Sequence, residues 1–586
     1  MQYSKSILIT LGHNSSVIYF GGIGAKPIGF EEERLSKKKS DSSYPKLALE
    51  KVISLIRGFE LDRCNVFISH WFDNFEIDSF PSKYFDHEHF NNFVEKYKLT
   101  VIPLSSSFTH HDAHAYSTLA FAENFSTVVT GKKHHIVVDG FGNNQEVISI
   151  YEHVTEMDKE VLVPINRVYG YEHSLGLMYQ YATSFVGMKE NQDEYKFLGY
   201  ESSIKNILTA NQIEHLNIRA YSYAINFMKC CLNKHTDIVT QPYEENAIGI
   251  DLEELQYAKD KMYNEFQTVI NLFCKTPESI SVNGIRTIIG FYVQACLEQC
   301  LLRIISKYDI KNAYLSGGCF LNVKLNKVIL DNISGYVCVN PLCGDQGAAI
   351  GMFRKYTNDK FDFADLCYGV RDKMKFALAT KMLLMNEGIY IKTKDEEVIE
   401  IATHLIAKGL IVNLIRSQME FGPRALCNTS TLALPTATNS AYINKVNNRN
   451  EVMPMAPVIL KSTANILLNP KDVARVIGSN KFMIITHDYT GSGAISKRGI
   501  LHNKPLLQGF TCRPQIIDDS NSVIGRILGN LAYEHDCLIN TSFNTHGTPI
   551  LYSFRDAIED FRKQKKNDPD SLLTLIIQLD DQENYY

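Results

Sequence analysis

Short runs rich in isoleucine, valine and aromatic residues open the chain and predict strands. Three of them lie within residues 6–33 and are separated by glycine-containing turns, a pattern that is typical of paired strands. Residues 46–58 then have apolar residues at the spacing of an amphipathic helix. Residues 200–300 are mostly helical in pattern and contain no chemical cluster, which indicates a scaffold.

Three later apolar runs end in glycine turns. One run leads to Asp139 and a glycine, and another leads to Asp345 between glycines. An aspartate at a strand end, followed by glycine, is a recurrent position for a carboxylate that faces a metal or a phosphate. The remaining run leads to Gly317 and Gly318 and then to a helix, so the turn amides would suit a nucleotide phosphate or ribose.

A polar stretch near residues 357–375 predicts a linker to a second domain. Beyond it the pattern indicates a helix over 397–408, a strand over 410–415 and a helix that begins at Gly422-Pro423. Arg424 beside this helix start either forms an anion cradle or staples the helix cap. Arginines and asparagines at later strand ends predict a polyanion site in this domain.

Two histidines four residues apart, His110 and His114, precede a stretch predicted to be helical. Residues i and i+4 share a helix face, so both imidazoles can bind one cation. The alternative is a polar helix start with solvated histidines. With Asp139 and Asp345 they would form a mixed nitrogen and oxygen set that suits a divalent transition metal, whereas His111 is expected to face elsewhere.

Three other segments carry chemistry whose role the residues leave open. The loop Gly12-His13-Asn14-Ser15-Ser16 either binds an anion through its amides or is a plain hairpin turn. The segment from Glu32 to Lys39 is either a solvated charged loop or a basic clamp for a phosphate-bearing ligand. Residues 174–199 predict a helix followed by a charged loop that includes Glu194 and Lys196.

Composition narrows the class of protein. A chain of 586 residues should hold more than one domain, and 45% hydrophobic with 21% charged residues is an ordinary globular balance. A net charge of −5 argues against a large nucleic-acid surface. The 13 cysteines contain no CxxC pair, which suggests a reducing compartment. The N-terminal apolar run is too short for a signal peptide, and no stretch approaches the ~20 apolar residues of a membrane helix. We therefore expect a cytoplasmic enzyme.

In order, these motifs resemble the O-carbamoyltransferase family of nodulation and antibiotic biosynthesis over nearly the whole chain. The most specific marks are Met-Glu-Phe-Gly-Pro-Arg-Ala-Leu at 419–426 and Asn-Thr-Ser-Phe-Asn at 540–544. The other matching stretches are Gly12 to Ser16, Glu32-Glu33-Arg34, the pair His110 and His114, Asp139-Gly140, Ser174-Leu175-Gly176, Glu194-Tyr195-Lys196, Gly317-Gly318 with Asn322, and Gly344-Asp345.

The resemblance implies an α/β protein of two domains. Residues 1–360 would form an actin/hexokinase-like duplicated domain, similar to tRNA threonylcarbamoyl-transfer enzymes, that binds metal and nucleotide. Residues 376–586 would form an α/β domain similar to threonylcarbamoyl-adenylate synthases. By this resemblance the C-terminal domain makes carbamoyl-AMP from ATP and carbamoyl phosphate. The N-terminal metal site then transfers the carbamoyl group to a hydroxyl of a small molecule, a sugar or a nucleotide.

The resemblance also implies roles for particular residues. His13 would be the base that takes the proton of the acceptor hydroxyl. A divalent metal, with Fe2+ favoured and others open, would be held by His110, His114, Asp139 and Asp345 and would grip the adenylate phosphate. The implied nucleotide-binding residues are Gly317, Gly318, Asn322, Lys196 and Glu194. The residues implied to hold ATP and carbamoyl phosphate are Arg424, Arg449, Arg513, Asn540, Ser542 and Asn544.

Three positions depart from the family pattern. Thr429, Asn447 and Met453 stand where the family has arginine, lysine and arginine. If those cations touch substrate directly, their replacement would weaken the binding of each substrate by on the order of a few kcal/mol. The segment after Lys196 also departs, which bears on the acceptor.

Two alternatives therefore stay open. One is a nucleotide-binding sensor or scaffold with a degenerate adenylate-forming domain. The other is a tRNA-modifying enzyme, which the net acidity does not favour. No membrane or nucleic-acid partner is expected, and a homodimer is left open.

Overall fold

The N-terminal part of the chain begins with a five-stranded sheet of order β3-β2-β1-β4-β5. The computed structural model describes residues 5–157, 159–231, 251–273, 280–363, 365–449, 455–532 and 535–579. The strands of this sheet are β1 (Ser6–Thr10), β2 (Ser16–Phe20), β3 (Ile28–Glu31), β4 (Asn65–Ser69) and β5 (Thr100–Pro103). β2 runs antiparallel to β1 and β3, whereas β1, β4 and β5 are parallel. The paired strands predicted within residues 6–33 are confirmed.

A second five-stranded sheet repeats this topology, with the order β8-β7-β6-β9-β10. Its strands are β6 (Lys133–Val138), β7 (Glu146–Glu156), β8 (Lys159–Tyr169), β9 (Asn312–Ser316) and β10 (Val337–Val339). β7 runs antiparallel to β6 and β8, and β6, β9 and β10 are parallel. The same strand order and directions thus occur twice, which is the duplication that an actin/hexokinase-like fold requires.

Helices cover the faces of these two sheets, as right-handed crossovers between parallel strands demand. They are α1 (Glu32–Ser36), α2 (Lys46–Leu55), α3 (Gly58–Leu61), α4 (His87–Tyr97), α5 (His110–Ala122), α6 (Leu175–Phe185), α7 (Glu194–Tyr200), α8 (Ala210–Cys231), α9 (Leu252–Phe273), α10 (Val282–Lys307), α11 (Val323–Asn332) and α12 (Ala348–Thr357). α2 confirms the helix predicted from residue 46. α5 and α12 pack backbone to backbone, since a Cβ added to Gly351 would lie 1.8 Å from the Ala113 carbonyl oxygen.

Helix α10 qualifies the prediction about membrane segments. By length and composition alone this helix is apolar enough to cross a membrane, but 72% of its most apolar window is buried within the protein. Its inward side chains, among them Ile289, Val293 and Leu297, belong to the core under the second sheet. Such burial is typical of the central helix of a protein core. The prediction that no stretch approaches membrane-spanning length was wrong for this one helix.

The C-terminal part is built on a seven-stranded mixed sheet of order β12-β22-β13-β15-β21-β16-β20. Its strands are β12 (Ile389–Lys392), β13 (Ile411–Ile415), β15 (Thr429–Ala433), β16 (Ala456–Leu460), β20 (Gln515–Ile517), β21 (Leu538–Ser542) and β22 (Leu573–Gln578). The helices are α13 (Leu378–Asn386), α14 (Asp395–Ala407), α15 (Ala437–Val446), α16 (Lys461–Leu467), α17 (Pro470–Ala474), α18 (Val523–Leu531) and α19 (Phe554–Lys565). A pair, β11 (Gly369–Val370) with β14 (Gln418–Met419), and a small sheet of β17 (His487–Tyr489), β18 (His502–Asn503) and β19 (Phe510–Cys512) complete it. The predicted α/β class is confirmed for both parts.

The segment after β14 is a loop, and the prediction of a helix from Gly422-Pro423 was wrong. The fully buried carboxylate of Glu420 accepts hydrogen bonds from the backbone N–H groups of Leu426, Asn428 and Thr429 at 2.8, 2.8 and 3.0 Å. These contacts satisfy amides that a helix would have satisfied internally. Glu420, rather than the backbone alone, therefore sets the shape of this loop.

This loop docks on the first sheet through a buried arginine. Arg34 donates to the Gly422 carbonyl at 2.6 Å, and its guanidinium pairs with Glu31 at 2.7 Å and Glu33 at 2.9 Å. Gly422 in turn donates its N–H to Glu31 at 3.0 Å. Arg34 is therefore neither part of a solvated loop nor a phosphate clamp, because its two terminal nitrogens join the two parts of the chain. Its buried Nε has no hydrogen-bond partner among the described residues.

Candidate active site

Helix α5 holds His110 and His114 in the interior. It begins with a capping box between Thr109 and Asp112. The Thr109 N–H donates to Asp112 Oδ2 at 2.8 Å, and the Asp112 N–H donates to the Thr109 hydroxyl. The His110 N–H donates to Asn143 Oδ1 at 2.7 Å, which ties the helix to the loop after β6. The two imidazoles share one face of the helix, with their Nε2 atoms 3.1 Å apart.

Two aspartates reach the same point from the second sheet. Asp139 follows β6, and its Oδ2 lies 3.5 Å from Nε2 of both histidines. Asp345 follows β10, and its Oδ1 lies 3.4 Å from His110 Nε2 and 3.7 Å from His114 Nε2. One donor atom from each of the four residues falls within 4.8 Å of the others. We call His110, His114, Asp139 and Asp345 the histidine–aspartate cluster.

The charges in the histidine–aspartate cluster suit a cation. Although burial opposes it, hydrogen bonding to Asp139 and Asp345 raises the pKa of His110 to about 10. The imidazoles in turn overcome burial to hold the pKa of Asp345 at about 2. The carboxylates of Asp139 and Asp345 therefore stay ionised, and the protonated His110 imidazole balances part of their charge. A divalent ion could take over that balance, and two nitrogens with two oxygens form a donor set that several transition metals accept.

Metal binding to this cluster is expected to tighten as the pH rises. The pKa of His110 stands at about 10 instead of its usual 6.5. Its proton thus stabilises the metal-free protein fully below pH 6.5, and that stabilisation is lost as the pH rises through 10. Because a metal must displace the imidazole protons, the apparent affinity should increase across this window. Calorimetric metal titrations in buffers of different ionisation heat would measure the proton release, and an affinity independent of pH would contradict the prediction.

The glycine turn after β9 supports Asp139. The Gly318 N–H donates to Asp139 Oδ1 at 3.0 Å, which leaves Oδ2 directed at the histidines. Gly317 has a φ of +94°, and a Cβ there would lie 2.3 Å from the Val138 carbonyl oxygen. Only glycine fits this close approach of turn and strand. The predicted nucleotide turn is thus in direct contact with the histidine–aspartate cluster.

Asn322 is held at the end of that turn. Its Oδ1 accepts the Leu325 N–H at 3.0 Å as the N-cap of α11, and its Nδ2 donates to Gln294 Oε1 at 2.7 Å. The helix predicted after the Gly-Gly turn is therefore present. Asn322 is fixed by capping, a role that its position before a helix already indicates.

The loop that carries His13 lies against the cluster. Gly12 has a φ of +110°, and a Cβ there would be 3.4 Å from Asp345 Oδ2. His13 itself is exposed at the turn between β1 and β2. The hairpin turn that the sequence left as one alternative is present between β1 and β2, and anion binding by the amides of this loop stays a prediction.

The helix predicted within residues 174–199 is α6, and a loop that carries Lys189, Glu190 and Asp193 follows it. The prediction was wrong in placing Glu194 and Lys196 in that loop, because both lie in helix α7. The Lys196 ammonium donates to Asp193 at 2.8 Å and contacts His546 Nε2, also at 2.8 Å. Glu194 accepts the Asn191 N–H at 2.6 Å, and burial raises the pKa of its carboxyl. Lys196 thus links the second sheet's helices to the C-terminal part of the chain.

Three of the residues predicted to hold ATP and carbamoyl phosphate, Arg449, Ser542 and Asn544, are in contact. Arg449 donates from Nη2 to Ser542 Oγ at 3.1 Å and to Asn544 Oδ1 at 3.0 Å, and from Nη1 to Thr541 Oγ1 at 3.0 Å. Further donations reach the carbonyl oxygens of Ser542 and Asn544, both at 3.2 Å. One guanidinium therefore holds Thr541, Ser542 and Asn544 in place.

The other three predicted residues, Asn540, Arg424 and Arg513, make different contacts. Asn540 donates to Gln515 Oε1 at 2.6 Å and to the Ala425 carbonyl at 3.0 Å, next to Arg424 in sequence. Burial lowers the pKa of Arg424, whose Nε has no hydrogen-bond partner within the described ranges. Arg513 lies near His502. Burial holds the pKa of the His502 imidazole well below its usual value, and the charges of Lys324 and Arg513 lower it further.

Comparisons with known proteins decide the family. A family model described as "Carbamoyltransferase N-terminus" matches residues 91–353, and one described as "Carbamoyltransferase C-terminus" matches residues 403–573. The chain belongs to the carbamoyltransferase family. The prediction of a carbamoyltransferase enzyme is thereby confirmed.

Relatives of this carbamoyltransferase are similar at moderate identity. An uncharacterised protein of Methanocaldococcus jannaschii is 25% identical over 91% of this chain and 92% of its own length. The nodulation protein NolNO of Sinorhizobium fredii is 27% identical over 46% of this chain and 41% of its own length. The 3'-hydroxymethylcephem-O-carbamoyltransferase of Amycolatopsis lactamdurans is 26% identical over 42% and 45%. The chain therefore matches less than half the length of the nodulation protein and of the cephem carbamoyltransferase.

Two of the positions at which this carbamoyltransferase departs from its family are buried. Thr429 donates its hydroxyl to Glu420 at 2.8 Å and accepts a hydrogen bond from Arg371, a buried arginine of the predicted linker. Asn447 is 1% exposed, and its carbonyl accepts the N–H of His546. Met453 lies outside the described residues. Thr429 and Asn447 thus serve the packing of the loops around the C-terminal set.

No short motif in the sequence predicts the buried polar network that lies behind α5. His111 is buried on another helix face, as expected, and its Nδ1 lies 2.9 Å from Ser149 Oγ. Ser149 contacts Glu146, which also binds Arg167, and Arg167 reaches Asp112 at 2.7 Å. Arg167 and Asp112 lie 55 positions apart, and the residues of the network come from α5, β7 and β8, so only the antiparallel pairing of the strands could have revealed them.

Proposed function

We propose that this carbamoyltransferase is an ATP-dependent O-carbamoyltransferase that works in two steps through carbamoyl-AMP. We also propose the division into a transfer domain, residues 1–360, and an adenylate-forming domain, residues 376–586. The observation that carries the proposal is the histidine–aspartate cluster, with four donor atoms within 4.8 Å of one another. A packing role alone does not explain why the buried Asp139 and the partly buried Asp345 both point at two imidazoles.

The first step activates the carbamoyl group at the C-terminal set. Carbamoyl phosphate loses inorganic phosphate to water, and the resulting carbamate oxygen bonds to the α-phosphorus of ATP as pyrophosphate leaves. The ordered segment around Arg449, with Ser542 and Asn544, would position these anions, and the buried Arg424 would add positive charge. Thr429 and Asn447 supply no charge there, so the activation step depends on these remaining groups.

The second step transfers the group beside the histidine–aspartate cluster. The acceptor oxygen bonds to the carbamoyl carbon, the bond to the AMP oxygen breaks, and His13 takes the acceptor proton. The four residues of the cluster would hold a divalent metal, with Fe2+ favoured, which supplies positive charge beside the departing phosphate. Gly317, Gly318 and Asn322, with Glu194 and Lys196 on α7, would hold the adenosine.

Positive charge between the two parts supports a shared intermediate. Lys39 and Lys196 both lie over the Tyr195 ring, with their ammonium nitrogens 5.2 and 5.6 Å from its centroid. Burial lowers the pKa of Lys39, Lys196 and Arg449 lower it further, and the carboxylates of Glu33 and Asp193 oppose that shift. Cations from three separate segments therefore lie near one another with two carboxylates beside them, and a bound anion such as an adenylate would be attracted to those cations.

Two assays test this proposal together. Purified protein should release pyrophosphate from ATP when carbamoyl phosphate is present, and a hydroxyl acceptor should then gain the mass of one carbamoyl group. Pyrophosphate release without any acceptor gain would leave the acceptor unidentified but support the activation step. Absence of pyrophosphate at every substrate level would overturn the two-step function and favour a nucleotide-binding sensor or scaffold.

Replacing His13 by alanine is expected to abolish transfer and leave adenylate formation intact. Loss of a general base typically lowers a rate by about 10²–10⁴-fold, whereas pyrophosphate release depends on the other part of the chain. Both rates are measured on one preparation, with His134→Ala, a histidine on β6, as the control. Equal loss of the two activities would argue that His13 has a structural role instead.

A further inference from the structure

Helix α13 is apolar on the face that meets solvent as well as on the face that packs inward. Leu384 belongs to the core of the C-terminal sheet. Four other side chains of this helix are between 52% and 76% exposed: Leu378, Met382, Leu383 and Met385. No other helix in the described ranges exposes as many large apolar side chains. Because a helix that is apolar on all sides is normally covered on all sides, α13 lacks a partner. We call these four residues the α13 stripe.

Strand β12 begins three residues after α13 ends and forms an edge of the seven-stranded sheet. It pairs on one side only, with β22. In that ladder the carbonyls of Gly388 and Lys392 accept hydrogen bonds at 3.0 and 2.9 Å. Since successive residues of a strand direct their backbone groups to opposite sides, those of Ile389 and Ile391 point away from β22. Among the described residues these groups have no hydrogen-bond partner, so this edge can accept another strand.

The α13 stripe and the free edge lie on the same face of the sheet. The side chains of Ile389, which is fully buried, and Ile391, which is partly buried, pack in the same core as Leu384 of α13. The side chain of Tyr390 points to the opposite face and packs against the core that α14 covers. Any strand that pairs with β12 therefore brings its own flanking groups next to α13.

A second copy of the chain fits both features with one symmetry operation. Within the described part of this edge, only Ile389 and Ile391 offer free backbone groups, because the backbone of Thr393 is hydrogen-bonded to the Glu397 carboxylate. A foreign peptide would thus gain few hydrogen bonds here. A two-fold axis at Tyr390, in contrast, pairs Ile389 of one copy with Ile391 of the other twice and brings the two α13 helices together on one face.

The size of this contact indicates its strength. Full burial of a leucine or methionine side chain removes roughly 100 Å² of apolar surface from water, so the α13 stripe contributes about 250 Å² in each copy. The paired strands add to this area. A standard interface buries about 800 Å² per partner, and weaker, transient interfaces bury less. We therefore expect a reversible dimer whose population rises with protein concentration.

We propose that this protein forms a two-fold symmetric homodimer in which β12 pairs antiparallel with β12 of a second copy and the two α13 stripes pack on each other. The two seven-stranded sheets then become one continuous sheet. Three strands, β22, β13 and β15, separate β12 from β21 and Ser542, so the contact leaves the residues around Arg449 uncovered. The dimer is independent of the function proposed above and is tested without any assay of activity.

Sedimentation velocity of the full chain over a range of concentrations measures the dimer directly. Met382→Glu places a charge in the α13 stripe and should weaken dimerisation at least about ten-fold. Ile391→Pro removes only an N–H that points away from β22, which an edge strand tolerates, and should have a similar effect. Ile466→Glu, at an exposed position of α16, is the matched control and should dimerise normally. A monomer at every concentration, or a dimer that neither variant weakens, would overturn the proposal.

Cross-linking tests the position of the two-fold axis. On the axis, Tyr390 of the two copies would form a non-hydrogen-bonded pair with Cα atoms about 4.5 Å apart, within the range of a disulfide. Tyr390→Cys should therefore give a covalent dimer under mild oxidation, whereas Lys392→Cys, two residues from the axis, should not. Both carry Cys230→Ser, which removes an exposed thiol. No covalent dimer of Tyr390→Cys, or equal cross-linking of the two variants, would refute the strand pairing.

Discussion

Replacing His110 by alanine, or Asp345 by asparagine, is expected to remove the bound metal and to lower carbamoyl transfer by about a thousand-fold. The His110 Nε2 lies 3.4 Å from Asp345 Oδ1. His110→Ala deletes one of the four converging donors, and Asp345→Asn replaces an anionic donor by a neutral amide that binds a cation more weakly. The charge stabilisation that a metal gives a departing phosphate is several kcal/mol, and each ~1.4 kcal/mol corresponds to ten-fold in rate. Metal content per chain and the rate of transfer from supplied carbamoyl-AMP are the two measurements.

The comparison needs a matched aspartate outside the cluster. Asp331 pairs with Lys327 on α11, and its side chain is 46% exposed, so Asp331→Asn should retain both metal and transfer. Pyrophosphate release should persist in all three variants, because the proposed activation step uses residues of the other part of the chain. Unchanged metal content in His110→Ala would rule out the ligand assignment, and loss of pyrophosphate release as well would indicate general unfolding.

The elements around this cluster could be predicted because their signals are local. The spacing of His110 and His114 places them on one helix face whatever surrounds the helix. An aspartate at a strand end, as at Asp139, faces the edge of a sheet where sites form. Four separate residues could therefore be assigned to one point, although 235 positions separate the first and the last of them.

Other features could not be predicted because they depend on distant partners. The loop at Gly422 has the Gly-Pro pattern of a helix start. In the structure, however, Glu420 accepts hydrogen bonds from backbone N–H groups of this loop, and Arg34 donates to the Gly422 carbonyl. The partner of Arg34 lies 388 positions away. No periodicity or propensity encodes such a pairing, so the sequence did not indicate that Arg34, within a segment predicted as a loop or a clamp, is buried between the two parts of the chain.

The contact between Lys196 and His546 gives the two sites a physical connection. These residues lie 350 positions apart, one in the helix assigned to nucleotide binding and the other just after the segment assigned to activation. The backbone N–H of His546 also donates to Asn447, two residues before Arg449. A short chain of contacts thus runs from helix α7 to the segment that Arg449 orders.

Replacing Arg449 by alanine is expected to lower pyrophosphate release by at least about a hundred-fold and to leave transfer from supplied carbamoyl-AMP intact. The side chain is 9% exposed and holds Thr541, Ser542 and Asn544 through its two terminal nitrogens. Its removal leaves buried acceptors unpaired, at a cost of about 1–3 kcal/mol for each group, and releases the segment that would position two anionic substrates.

Arg449→Lys tests whether the paired N–H donors of the guanidinium or only its positive charge is needed, since a lysine keeps the charge but cannot make the paired donations. We expect it to recover little activity. Arg562→Ala on α19 is the matched control, because that arginine pairs with Glu387 where both side chains are largely exposed, at 52% and 42%, and such pairs contribute little. Equal loss of pyrophosphate release and transfer in Arg449→Ala would mean that Arg449 holds the two parts together. Loss confined to pyrophosphate release would mean that it positions the substrates of the first step.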